Sequence, residues 1–77
     1  MSNTEQRVYD IWRDVLETEE LEPDKSFFDL GGNSILLMKA QARLEKEFSC
    51  KISIPDLFTY PTVDKLAQYI DTVMQKV

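Results

Sequence analysis

Ser34 is the hydroxyl in this 77-residue chain whose surroundings best suit chemistry. It follows Gly31-Gly32-Asn33 and opens the amphipathic run Ile35 to Phe48. Glycine tolerates positive φ and leaves backbone uncovered, so another protein's active site can reach the hydroxyl without striking side chains. A helix amino terminus adds free N–H groups and a partial positive charge, and both favour a phosphate held near the first turn. The chemistry these residues suit is therefore acceptance of a phosphodiester, with Gly32, Asn33 and Asp29 supporting the loop. The same residues have a plainer explanation, because serine is a favoured N-cap and Gly-Gly-Asn is an ordinary loop sequence. On spacing alone the motif reads first as a cap.

Other chemistries are poorly served. The chain has no histidine, which removes Ser-His catalysis, histidine acid–base work and most zinc sites. The glycines are not a phosphate-binding loop, since the lysine and Ser/Thr expected after them are missing. Nor do they form a nucleophile elbow, because no base is at hand to activate Ser34. Cys50, the single cysteine, reads as a small half-buried residue. It cannot form an internal disulfide, which fits a reducing, cytoplasmic compartment. Glu17, Glu19, Glu20 and Glu22 lack the spacing of a calcium loop and read as a solvated acidic turn.

The net charge of -5 argues against an electrostatic grip on nucleic acid. It is unevenly spread: residues 1–34 hold nine acids and three bases, residues 35–77 five acids and six bases. The longest strictly apolar run, Ile35 to Met38, is far short of a membrane span, and no secretory signal is visible at the amino terminus. Length and composition predict one domain over residues 1–77, with ends suited to excision from a larger polypeptide.

The elements that must position Ser34 follow from periodicity. Val8, Ile11, Trp12, Val15 and Leu16 form one stripe of a helix from Thr4 to about Glu17, started by Ser2 with Glu5 or by Thr4. Residues 18–33 lack a sustained period and contain Pro23, Gly31 and Gly32, so they predict a long loop, pinned by Leu21, Phe27, Phe28 and Leu30. A second helix is expected from about Ser34 to Glu47, with Leu37, Ala40, Leu44 and Phe48 inward. Ile52 and Ile54 alternate with polar residues but have no partner strand, so an extended connector is expected. Pro55 then opens a short helix to Thr59 that buries Leu57 and Phe58. After Pro61, with Thr62 as cap, Val63, Leu66, Ala67, Ile70, Val73 and Met74 define a last helix. Trp12 and the phenylalanines at 27, 28, 48 and 58 read as core. The expected fold is all-α: four helices, a long loop between the first two and a short third.

The string Phe27-Phe28-Asp29-Leu30-Gly31-Gly32-Asn33-Ser34 resembles the phosphopantetheine-attachment motif of carrier domains in nonribosomal peptide and polyketide synthases. Ile11-Trp12 with Val15-Leu16 resembles their first helix, and Arg43-Leu44-Glu45 to Phe48 the end of their second. Leu57-Phe58-Thr59-Tyr60-Pro61-Thr62-Val63 resembles the connection into their last. The resemblance implies that Ser34 is esterified with 4'-phosphopantetheine from coenzyme A by a phosphopantetheinyl transferase. The arm's thiol would then carry aminoacyl, peptidyl or acyl groups between adenylation, condensation, ketosynthase or thioesterase domains. It implies a mount, not an enzyme.

Asn33 departs from the histidine or aspartate such domains often have. Lys39 and Arg43 depart from the acidic second helix of stand-alone fatty-acid carriers. Asn33 leaves modification in place but does not discriminate synthase type, whereas Lys39 and Arg43 favour a modular, peptidyl carrier, with a polyketide acyl carrier and an unmodified helical interaction module as alternatives. Ile35 and Met38 lie one turn apart and off the inward stripe. Ordinary edge packing explains them, and so does an apolar dock for partner domains, which the resemblance favours.

Overall fold

The computed structural model describes residues 2–74. Four helices follow in order: α1 (Asn3–Leu16), α2 (Ser34–Phe48), α3 (Ile54–Thr59) and α4 (Val63–Met74), with no strand among the described residues. The all-α expectation and the order long, long, short, long are met.

Each start has a local cause. Ser2 caps α1 through a complete box with Glu5, each side chain reaching the other residue's backbone N–H. Ser53 and Asp56 do the same for α3, which begins at Ile54, one residue before the expected Pro55. Thr62 accepts from the Lys65 amide at 3.3 Å at the head of α4. The ends of α1 and α2 are closed by Glu17 and Ser49, both in the left-handed region at φ 53° and 51°.

α1 packs against both α4 and α2, and α2 also meets α3. The buried stripes are Val8, Ile11, Trp12 and Val15 on α1, then Leu37, Ala40, Leu44 and Phe48 on α2. α4 contributes Val63, Leu66, Ala67 and Ile70. Ile52 and Leu57 complete the core from the connector and α3, while Ile54 is partly buried against it. Arg7 clamps the end of α2. It pairs with the Glu47 carboxylate at 2.8 Å, donates to the Glu47 carbonyl at 2.9 Å and lies 4.4 Å over the Phe48 ring.

The long loop is ordered by its own side chains. Leu21 is buried and its amide donates to Tyr9 Oη at 3.3 Å. Phe27, 1% exposed, meets Trp12 edge-on at 5.0 Å, and its amide donates to the Pro61 carbonyl at 2.8 Å. The loop before α2 is thereby fastened to the turn before α4.

Three expected core residues are not core. Phe28 and Phe58 are 36% and 56% exposed, and their rings stack on each other at 5.2 Å instead of entering the bundle. α3 is six residues long, less than two turns, and Leu57 is its one fully buried residue, with Ile54 partly buried beside the core. Met74, in the last described turn of α4, is also exposed.

Candidate functional site

Ser34 is not the cap of α2. Asn33 is: its backbone is extended (φ -139°, ψ -179°), and its Oδ1 accepts from the Leu36 amide at 2.9 Å. Ser34 is thus the first helical residue, exposed, with a hydroxyl that bonds to no other described residue. Asparagine does the capping work that spacing alone had assigned to serine, which leaves the hydroxyl without a structural task.

The two glycines have different reasons to be there. Gly31 has φ +97°, and a Cβ on it would meet nothing within 4 Å. Its role is conformational, to turn the chain where an L side chain would be strained. Gly32 sits against Phe27: a Cβ there would collide with the ring and come within 2.7 Å of the Phe27 carbonyl oxygen. The missing side chain lets the loop close on its own aromatic pin, and the Gly32 amide donates to that same carbonyl at 3.0 Å. Openness beside Ser34 therefore comes from Gly31, and fixity from Gly32.

Asp29, expected as a brace through its side chain, is exposed, and its carboxylate bonds to no described residue. The brace is Ser26, whose Oγ accepts from the Asp29 amide at 3.0 Å and whose carbonyl accepts from Leu30 at 3.1 Å. Nothing in sequence periodicity distinguished Ser26 from its neighbours.

Electrostatics at the site are set by backbone. The first turn of α2 holds no acidic residue, and among the described residues the Ser34 and Ile35 amides have no acceptor. The positive end of the helix is therefore uncovered where a phosphoryl group on Ser34 Oγ would lie. The residues present fit a phosphodiester. Next to it, Ile35 and Met38 are 69% and 62% exposed, while Leu36 is partly buried and Leu37 fully so. Phe28 in the loop and Phe58 on α3, both expected in the core, are exposed as well. Lys39 is exposed on the same helix, and Arg43 pairs with Asp14 across to α1 at 3.3 Å. Burial and the nearby Glu45 push the Cys50 thiol up, away from the nucleophilic thiolate.

Residues 6–70 match the family described as "Phosphopantetheine attachment site". The chain belongs to this family. As a member it is a carrier domain whose cofactor, 4'-phosphopantetheine, is held covalently. Over 69 residues it is 45% identical to surfactin synthase subunit 1 of Bacillus subtilis (strain 168), covering 90% of this chain and 2% of that protein. Bacitracin synthase 3 of Bacillus licheniformis is 33% identical over 76 residues, 99% of this chain and 1% of the relative. The chain thus spans a small fraction of the curated relatives it matches.

Among solved structures, a chain from the complex of the phosphopantetheine transferase Sfp with coenzyme A and a peptidyl carrier protein superposes with TM-score 0.88. Its sequence identity is 29%, covering 94% of both chains. The McyG A-PCP structure complexed with phenylalanyl-adenylate gives TM-score 0.87 at 36% identity, over 91% of this chain and 11% of that one.

Proposed function

We propose that residues 1–77 form one peptidyl carrier domain of a nonribosomal peptide assembly line, phosphopantetheinylated on Ser34. The supporting observation is an exposed hydroxyl, free of capping duty, at the start of a helix with no acid in its first turn. In the modification, Ser34 Oγ attacks the coenzyme A phosphorus that bears pantetheine. The P–O bond of the pyrophosphate breaks and adenosine 3',5'-bisphosphate leaves with the bonding electrons. The hydroxyl proton passes to a base of the transferase, since the Ser34 hydroxyl touches no base among the described residues. Once bound, the arm supplies a thiol that holds aminoacyl or peptidyl groups as thioesters.

The chain's own part is to hold and present. Asn33 and the first-turn amides fix the phosphate end, Gly31 keeps its approach clear, and Gly32 seats the loop on Phe27. Ile35 and Met38 offer partners an apolar contact beside the arm. These partners are a phosphopantetheinyl transferase and the adenylation, condensation and thioesterase domains of the assembly line, with ketosynthases in a hybrid one. Bond-making belongs to them, and the domain itself is non-catalytic. Among the described residues no helix is long and apolar enough to cross a membrane. The proposed work lies in the cytoplasm, where coenzyme A is available. The peptidyl reading is preferred over the polyketide one because of the peptide-synthase relatives and the adenylation-linked structural neighbour.

The test is incubation with coenzyme A and a broad-specificity phosphopantetheinyl transferase, followed by mass measurement. The wild-type chain gains one phosphopantetheinyl group and Ser34→Ala gains none. An unchanged wild-type mass, under conditions that modify a control carrier, would favour an unmodified interaction module. In the same assay Met38→Glu slows modification at unchanged helicity, and an unaltered rate removes Met38 from the contact surface.

A further inference from the structure

The connector between α2 and α3 has no regular structure, yet both backbone groups of Ile52 are held by side chains of α2. Gln41 Nε2 donates to the Ile52 carbonyl at 2.9 Å, and the Ile52 amide donates to Glu45 Oε2 at 3.0 Å. The two side chains are four residues apart and grip one residue as a neighbouring strand would. With Ser34 and Met38 they complete a stripe at spacings of four, three and four along α2. The other polar tether of α3 comes from α4, where Tyr69 Oη donates to Asp56 Oδ2 at 3.1 Å. Of the two, only the Gln41–Glu45 grip is built on the helix that carries Ser34.

What this grip stations is the exposed edge of α3. Phe58 stacks on Phe28, Phe28 meets Phe27 edge-on at 6.0 Å, and Phe27 carries Gly32 on its ring. An unbroken path of contacts therefore joins the α3 edge to the loop that ends at Ser34. Phe28 and Phe58 on this path, and Ile35 and Met38 on α2, are four of the five large exposed hydrophobics among the described residues.

We infer that Gln41 and Glu45 are positioning residues: they fix α3, and with it Phe58, at a set distance from Ser34, so that a modifying enzyme meets the surfaces of α2 and α3 together. The inference rests on the attachment reading above. Losing either hydrogen bond loosens the α3 edge, still held by Tyr69 and Phe28, without touching the reacting hydroxyl, so the cost falls on recognition and not on the chemical step.

The experiment measures phosphopantetheinylation of the whole chain at varied carrier concentration, with coenzyme A and a broad-specificity transferase. Gln41→Ala and Glu45→Ala raise KM about five-fold with kcat unchanged. Glu45→Gln keeps an acceptor for the Ile52 amide and stays within about two-fold of wild type. Hydrogen exchange at the Ile52 amide quickens in Glu45→Ala and not in Glu45→Gln, while melting temperature identifies any variant that is simply unfolded. An unchanged KM in folded Gln41→Ala and Glu45→Ala, with faster exchange at Ile52, overturns the inference. So does a Glu45→Gln variant as impaired as Glu45→Ala, which would assign the effect to charge. Absence of any mass gain in the wild-type chain is seen before the variants are compared, and it overturns the attachment reading itself.

Discussion

The head of α2 differs from the heads of the other three helices described. α1, α3 and α4 carry Glu5, Asp56 and Asp64 in their first turns, and two of the three close into complete capping boxes. In those helices the exposed amides and the positive end of the dipole are answered from within the chain. α2 has the Asn33 cap and no acid, so it begins ordered but electrostatically unanswered. The contrast separates two jobs that a cap usually performs together. Geometry at Ser34 is supplied internally, while the negative charge is left to come from outside as the phosphate of the arm.

Gly32→Ala attacks the geometric half of that contrast and has the largest expected effect. A Cβ pressed against Phe27 and its carbonyl must push the loop off the core, at a cost of about 2 kcal/mol or more. Urea melts check this, and an undiminished midpoint means the loop is not seated by that contact. Asn33→Ala removes the cap and costs about 1 kcal/mol, again read by denaturation. A much smaller loss would mean that Ser34 takes over capping, and the distinction drawn between the two residues would fail.

Ile35→Glu gives α2 the first-turn acid that the other helices have. The unmodified domain gains about 0.5 kcal/mol, and the stabilisation that follows phosphopantetheinylation shrinks. Equal stabilisation of wild type and variant by the arm would break the electrostatic half of the comparison.

The smallest effect belongs to a helix start that is already answered. Hydrogen bonds from the Ser53 amide, with help from the Ser53 and Tyr69 hydroxyls, outweigh burial and hold the Asp56 carboxyl below its usual range. A group whose folded pKa is depressed stabilises the protein above its unfolded pKa and loses that contribution as pH falls through the folded one. Acid unfolding below about pH 4 is therefore shallower in Asp56→Asn than in wild type. Identical acid limbs would remove Asp56 from the pH dependence.

The regular helices were legible in the sequence because their stripes repeat over several turns. Leu37, Ala40, Leu44 and Phe48 were read as the inward face of α2 and are buried, as are Val8, Ile11, Trp12 and Val15 on α1. Legibility failed where the period is too short to define a face. In the six residues of α3, hydrophobicity alone could not show which of Leu57 and Phe58 points inward. In the loop, adjacent Phe27 and Phe28 have the same chemistry and opposite fates, decided by the Trp12 ring and the Pro61 carbonyl, both distant in sequence. The neighbourhood of Ser34 was identifiable from its motif. The division of labour between Asn33, Gly31 and Gly32 was not, because it depends on a φ angle and on a ring approaching from behind.

Trp12 is the chain's one tryptophan, buried, with an Nε1–H that meets no acceptor among the described residues. Its neighbour Phe27 is the residue on which the attachment loop rests. An indole in such dry surroundings emits at the blue end of its range, and water entering beside it would supply the missing acceptor and move the emission to the red. Lifting of the loop, as expected in Gly32→Ala, therefore has an intrinsic optical signature. The seating of the attachment loop can be followed by the domain's own fluorescence, without an added dye.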